Sequence, residues 1–223
     1  MRQGLTARTQ EKQKAVVAKT TRRRSPRQER KNEATRLCLL ESAAHIVGEH
    51  GYAGCTIARV TERAGVAHGT FYLHFASQQA MFDELLPVLG AQMLEHIGRA
   101  IRSSKDEVDL ERKGFKANLD YLVQHPYMYR VLSEAELFAP KAFKQHLDAM
   151  AQSYTRSLRR SMSEAHMADY KESELETLAT MLIGARTYLL MRYGVDNYTI
   201  KGVSKDKLET YLQFISKGIS PRT

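Results

Sequence analysis

The chain is short of cysteine, and it has no long apolar run and no signature of a catalytic site. Two cysteines, Cys38 and Cys55, cannot build a disulfide framework, and no paired CxxC motif marks a zinc site. Both read as buried or half-buried thiols in a reducing compartment. No stretch approaches the roughly 20 apolar residues of a spanning helix, so a membrane protein is not expected. Leu5–Val17 lacks the apolar core of a secretory signal. Glycine-rich phosphate loops, the GxSxG elbow and HExxH are missing, and the eight histidines are scattered. His45 and His50 fall on one helix without a second-ligand pattern. No enzyme, metal site or resident cofactor is therefore expected.

Positive charge is missing from most of the chain as well. Residues 1–32 hold eleven lysines and arginines against Glu11 and Glu29, a net of +9 that equals the formal charge of the whole protein. The remaining chain is balanced. A basic arm on a neutral body points to nucleic acid, less often to an anionic membrane or an importer, and an Arg-rich, acid-poor start also fits a transit peptide. With 43% apolar and 26% charged residues, the body is that of an ordinary soluble globular protein working in the cytoplasm.

The organisation that follows is tripartite. Residues 1–24 carry too few large apolar groups to repay the entropy of ordering, and read as a disordered basic arm. At Ser25-Pro26-Arg27-Gln28, serine suits a cap, proline the first helical position and glutamine a capping box. The helix this starts places Leu37, Leu40, Ala44 and Val47 on one face, and Gly51 suits the left-handed position that ends it. From Ser77 onward, apolar spacings of three and four recur without strand alternation. Polar breaks near Ser103–Asp109, His125-Pro126, Ala139-Pro140, Ala168–Lys171 and Asp196–Ser204 separate about six helices. The chain is expected to be all-α.

Residues 56–75 read TIARVTERAGVAHGTFYLHF. Thr56 can cap a short helix burying Ile57, Val60 and Ala64, and Gly65 permits a tight turn. A second short helix then starts near Ala67 and carries Phe71, Tyr72 and Phe75. Two helices joined so closely can hold the second proud of the surface, where its first residues enter a major groove. His68 is the exposed polar side chain best placed to specify a base, because Ala67 and Gly69 offer little beyond van der Waals contact.

This segment resembles the DNA-binding domain of TetR-family transcriptional regulators. Leu40, Ala43, Ala44, Gly51-Tyr52, Thr56, Ala64-Gly65-Val66, Gly69-Thr70-Phe71-Tyr72 and Phe75 carry the resemblance, which spans Leu39 to Phe82, about a fifth of the chain. The resemblance implies an N-terminal three-helix helix-turn-helix domain over 25–80 and a C-terminal helical ligand-binding and dimerisation domain over 81–223. It also implies a homodimer on a near-palindromic operator, acting as a repressor that a small-molecule inducer releases. By position, Thr56 would meet a phosphate, Ala67, His68, Gly69 and Thr70 would face base edges, and Tyr72 and His74 would touch the backbone or a thymine methyl. Three residues depart from the pattern. Gln78 stands where a phosphate-binding lysine is usual, Ala67 where a capping serine is frequent, and Thr61 where alanine is usual at the helix crossing. Thr61 is tolerable if its hydroxyl bonds a backbone carbonyl.

Residues 33–80 hold Arg36, Arg59 and Arg63 against Glu33, Glu41, Glu49 and Glu62, a net of −1. A DNA reader so charged needs its phosphate attraction elsewhere. Arg22, Arg23 and Arg24 are the expected source, on phosphates or in the adjacent minor groove.

In the C-terminal half, residues 175–195 carry two apolar rows. Leu175, Leu178, Leu182, Ala185 and Leu189 form one; Met181, Gly184, Tyr188, Met191 and Val195 form the other. A helix apolar on two faces is buried on both. Met181, Gly184, Tyr188 and Met191, with Tyr211 and Ile215 of the last helix, are the expected dimer interface. An inducer pocket needs a few polar groups among apolar walls. Tyr127, Arg130, Glu134, Tyr154 and Arg186 are its candidates, for a hydrophobic or amphipathic small molecule. Arg130 and Glu134 also read as a plain surface pair one turn apart. The rival functions are an enzyme and a non-specific binder of nucleic acid or membrane.

Overall fold

The computed structural model describes residues 25–163 and 170–219. The arm, with Arg22, Arg23 and Arg24, lies outside the described residues. The chain divides into two compact units, residues 1–38 and 39–223. In the first, the Ser25 hydroxyl accepts from the Gln28 N–H at 3.3 Å, so one half of the expected capping box is formed.

Helix α1 (Pro26–Gly54) is kinked at Gly51. Helices α2 (Ile57–Arg63) and α3 (His68–Phe71) follow, separated by a turn whose Gly65 has a φ of +65°. Six longer helices come next: α4 (Gln78–Ile101), α5 (Glu107–Gln124), α6 (Tyr127–Phe138), α7 (Pro140–Ser163), α8 (Leu175–Leu189) and α9 (Lys205–Ile219). The expected breaks at 103–109, 125–126 and 139–140 all fall at helix ends. Two of these helices have a side-chain cap: Ser77 and Asp106 accept from the N–H groups of Ala80 and Asp109.

Between α8 and α9 the fold departs from pure helix. A π-turn (Leu190–Gly194) runs into a two-residue antiparallel pair, β1 (Val195–Asp196) with β2 (Thr199–Ile200). Its turn places Asn197 and Tyr198 at φ values of +46° and +62°, as a tight hairpin demands. Such a short pair leaves no alternating pattern to read in advance.

One buried cluster runs from Leu39 and Leu40 through Tyr52, Phe71, Phe75 and Phe82 to Met128 and Ala142. Tyr52 anchors it, stacked on Phe138 at 5.6 Å and edge-on to Phe82 at 4.8 Å. The core of the short reading helices is thus continuous with α4, α6 and α7. A second cluster gathers Phe115, Leu158, Leu175, Leu182, Tyr211 and Ile215. Leu40, Ala44 and Val47 are buried as expected, but Leu37 is exposed. Of the cysteines, Cys55 is buried as expected, which pushes its thiol up to about 12, whereas Cys38 is exposed against expectation.

His146 on α7 lies buried against Gly90 on α4, where any Cβ would overlap the imidazole. Its Nε2 has no hydrogen-bond partner among the described residues, and burial lowers its pKa to about 4. The unfolded chain takes up this proton near pH 6.5, the native one only near pH 4. The stabilisation is therefore complete above pH 6.5 and is lost as pH falls to about 4, a change of about 3 kcal/mol. Comparing urea unfolding of the wild type and His146→Leu from pH 7 to 4 should show a flatter profile in the variant. Parallel profiles would refute it.

Candidate nucleic-acid interface and effector cavity

Thr56 caps α2 from an extended backbone, its hydroxyl accepting from the Arg59 N–H at 3.3 Å. Arg59 reaches back to the Gly54 carbonyl at 2.9 Å. Thr61, buried at the crossing, donates to the Ile57 carbonyl at 2.9 Å, the bond its tolerance required. Ala67 precedes α3 and supplies no side-chain cap.

Phe71 and Phe75 hold α3 down; their rings are 5.4 Å apart and both are buried. The opposite side of this short element faces out. Ala67, His68, Gly69 and Tyr72 are exposed, while Thr70 and His74 are half-buried. The His68 ring meets Tyr72 edge-on at 5.8 Å, so the two share one outward surface. Leu73, which the sequence reading did not single out, is 80% exposed beside them. Its place four residues after Gly69 was the available signal, since such positions share a face. A large apolar side chain there can meet a thymine methyl.

Residues 39–85 match the family model for bacterial regulatory proteins of the tetR family. The match covers the two short helices and the elements that flank them, so this segment is similar to the DNA-binding segment of that family. It is 23% identical over 150 residues to the nucleoid occlusion factor SlmA of Vibrio vulnificus, covering 66% of this chain and 76% of that protein. Among solved structures, a putative tetR-family regulator from Shewanella sp. PV-4 superposes with a TM-score of 0.60 at 15% identity, over 84% of this chain and 99% of that one. FadR from Bacillus subtilis, in complex with stearoyl-CoA, superposes with a TM-score of 0.63 at 17% identity, over 82% and 98% of the two chains. At these identities the superpositions establish a shared fold.

The five residues expected to line an inducer pocket separate into two groups. Tyr154 and Arg186 line a cavity of about 250 Å³ bounded by α4, α5, α6, α7 and α8. Met93, Ile97, Leu122 and Met150 are among its apolar walls. Arg186 is locked in place: its Nε donates to Glu111 at 3.0 Å and its Nη2 to the Tyr154 hydroxyl at 3.0 Å. Tyr211 donates to the same Glu111 oxygen at 2.7 Å. Burial, then the Glu111 carboxylate, push the Tyr211 hydroxyl far up, so it remains a donor.

Tyr127, Arg130 and Glu134 lie elsewhere, against the end of α1. Tyr127 packs on Gly48, and its hydroxyl is 3.0 Å from His125 Nδ1. Arg130 donates to Glu134 at 2.7 Å and to the carbonyls of Gly48 and Glu49 at 3.3 and 3.1 Å. Glu134 accepts from the Tyr52 N–H at 2.9 Å. The pair is neither a pocket wall nor a plain surface contact; it clamps the kinked end of α1, whose backbone groups lack helical partners. Tyr198, at the hairpin tip, covers Arg130 with its ring 4.7 Å away.

The expected dimer residues also divide. Met181, Gly184 and Tyr188 face outward on α8, Tyr188 with 68% exposure, and Met191 is exposed on the π-turn that follows. Tyr211 and Ile215 face inward instead, packed with Phe115 and Leu158 in their own subunit. The α9 row through Leu208, Tyr211, Leu212 and Ile215 packs in the cluster that holds Phe115 of α5. Phe214 is left 70% exposed and is the residue α9 turns outward. No helix among the described residues is long and apolar enough to cross a membrane, and none of their acidic, histidine and cysteine side chains group to hold a metal ion.

Proposed function

We propose that this protein is a TetR-family transcription regulator, a homodimeric repressor in the cytoplasm, released from a near-palindromic operator by a small hydrophobic or amphipathic effector. Its parts are a basic arm (1–24), a reader (25–80) and a sensor and dimerisation domain (81–223). The outward surface of α3 is the observation that carries this reading: His68, Gly69, Tyr72 and Leu73 stand exposed on a segment anchored by Phe71 and Phe75. His68 specifies a base, Thr56, Tyr72 and His74 hold the backbone, and Arg22, Arg23 and Arg24 supply the grip that the reader's net charge does not. The outward row of α8, joined by Phe214, suits a two-fold partner, which matches a two-fold site. The cavity supports an effector site, as does the stearoyl-CoA in the FadR structure of the same fold.

Footprinting on the DNA upstream of the chain's own gene tests the reading. A protected palindrome that survives competitor DNA is expected. His68→Ala should weaken that site by about 1–3 kcal/mol and relax specificity at one base pair per half-site. Removing residues 1–24 should weaken binding to all sequences alike and flatten its salt dependence. Uniform weak protection would overturn operator recognition, and an unchanged salt slope would overturn the role of the arm.

The coverage of SlmA favours one second reading, a part in nucleoid occlusion. Deleting the gene separates the two. A changed transcript beside the footprint supports the repressor, and septa across unsegregated nucleoids without such a change support the other.

A further inference from the structure

Three arginines border the cavity, yet little of their charge is free to meet an occupant. Glu111 answers Arg186, its carboxylate 3.0 Å from the arginine Nε. Arg160 has a partner of its own, and Arg156 is exposed, where water weakens its field. Two hydroxyls of the lining are also engaged: Ser157 donates to the Ser153 carbonyl at 3.2 Å, and Tyr154 accepts from Arg186 at 3.0 Å. Asn118 on α5 differs. It is half-buried, with Gly114 and Leu122 one turn to either side on the same helix face, and all three border the cavity. Its Nδ2 donates to the Met93 sulfur at 3.4 Å, and its carbonyl accepts from no described residue. A thioether is a weak acceptor, so the amide stands at an apolar wall with most of its hydrogen-bonding capacity unused.

Each kind of occupant meets this wall differently. A carboxamide offers a donor and an acceptor side by side, so it pairs best with a group that does the same, an amide or a hydroxyl. An anion can use only the N–H, and it must give up its water beside a guanidinium that Glu111 already balances. A cation finds no aspartate or glutamate in the lining. A hydrocarbon fills the chamber but leaves the amide with the thioether alone. A volume of about 250 Å³ suits two fused rings, since a cavity of about 150 Å³ holds benzene.

We infer that the effector cavity selects a neutral, mostly apolar molecule through one amide or hydroxyl group, which pairs with Asn118 while the apolar portion lies against Met93, Ile97, Leu122 and Met150. This specificity rests on the reading of the cavity as the effector site.

Equilibrium binding of 2-naphthamide, 2-naphthalenemethanol, 2-naphthoate and 2-methylnaphthalene to the full-length protein, followed by naphthalene fluorescence, tests it. The amide and the alcohol should each bind about tenfold more tightly than the hydrocarbon and than the carboxylate. Whichever of the two binds more tightly identifies the group that Asn118 reads. Asn118→Leu keeps the size of the side chain and removes its polar atoms, so the ratio of amide to hydrocarbon affinity should fall to within about twofold of unity. The order of the four affinities in the wild type decides the matter even if the variant does not fold. Equal affinity for amide and hydrocarbon, tightest binding of the carboxylate, or an amide preference untouched by Asn118→Leu would overturn the assignment to Asn118 and leave the effector cavity standing. No binding of any of the four would overturn both.

Discussion

Gly51→Ala is expected to lower the unfolding temperature by roughly 10 °C, the local signature of a loss of about 3 kcal/mol or more. Gly51 has φ 73° and ψ 171°, a region open essentially to glycine alone. A Cβ there would stand 2.8 Å from both Arg130 Nη2 and Glu134 Oε2, so the side chain also drives the clamp apart. The Tyr52 N–H and the Gly48 carbonyl would then lose partners in a half-buried setting, and the Glu49 carbonyl in an exposed one. Because the clamp joins α6 to the end of α1, hydrogen exchange in residues 46–55 should rise in the variant beyond its global destabilisation. Glu134→Gln keeps the shape, loses the charge, and should show the same local pattern at smaller amplitude. Unfolding within about 2 °C of wild type for Gly51→Ala would refute this account.

Glu111→Gln should cost about 3–5 kcal/mol, because it strands a buried guanidinium. The side chains of Arg186 and Glu111 are 11% and 1% exposed, and burial by itself lowers the affinity of Arg186 for its proton. The charge of Glu111 outweighs that penalty and holds the pKa of Arg186 above its ordinary value. Without the carboxylate the largest opposing influence is gone, and Tyr211 loses its charged acceptor too. Replacing the pair together, Glu111→Leu with Arg186→Met, should restore most of the stability, since a packed apolar pair avoids both desolvation penalties. A double-mutant cycle in denaturant checks this. A single variant costing below about 1 kcal/mol, or a double variant no better than the single, would mean that the pair does not organise the floor of the cavity.

Much of this protein was readable because it depends on neighbours in sequence. The Ser25-Pro26 start, the Thr56 cap, the turn at Gly65 and the buried spacing of Phe71 and Phe75 are local, and each appears where the residues suggested. Arg130 and Glu134 show where such reading stops. Their spacing is a single helical turn, and on that ground they suit a pocket or a surface pair equally. Their actual partners, Gly48, Glu49 and Tyr52, lie about 80 residues away in the chain. Gly51 was legible as a residue that ends a helix, but the reason it must be glycine comes from the side chains that α6 brings against it.

The same division explains α9. Its sequence presents Tyr211, Ile215 and Phe214 as apolar residues on neighbouring faces, and helical periodicity does not say which face meets the core. Contact with Phe115 on α5 turns Tyr211 and Ile215 inward and leaves Phe214 out. Arg186 could be named as polar among apolar neighbours, but its charge balance depends on Glu111, 75 residues earlier.

By itself, then, the sequence determined the all-α character, the helix starts and stops, the reading segment with its exposed His68, and the separation of the basic arm from a neutral body. These follow from backbone preferences and from periodicity, which act over a few residues. The tertiary structure alone decided which apolar rows face the core, which arginines are neutralised, and that Arg130 and Glu134 serve the end of α1 rather than the cavity. Those outcomes depend on desolvation and on partners that meet only when distant helices pack.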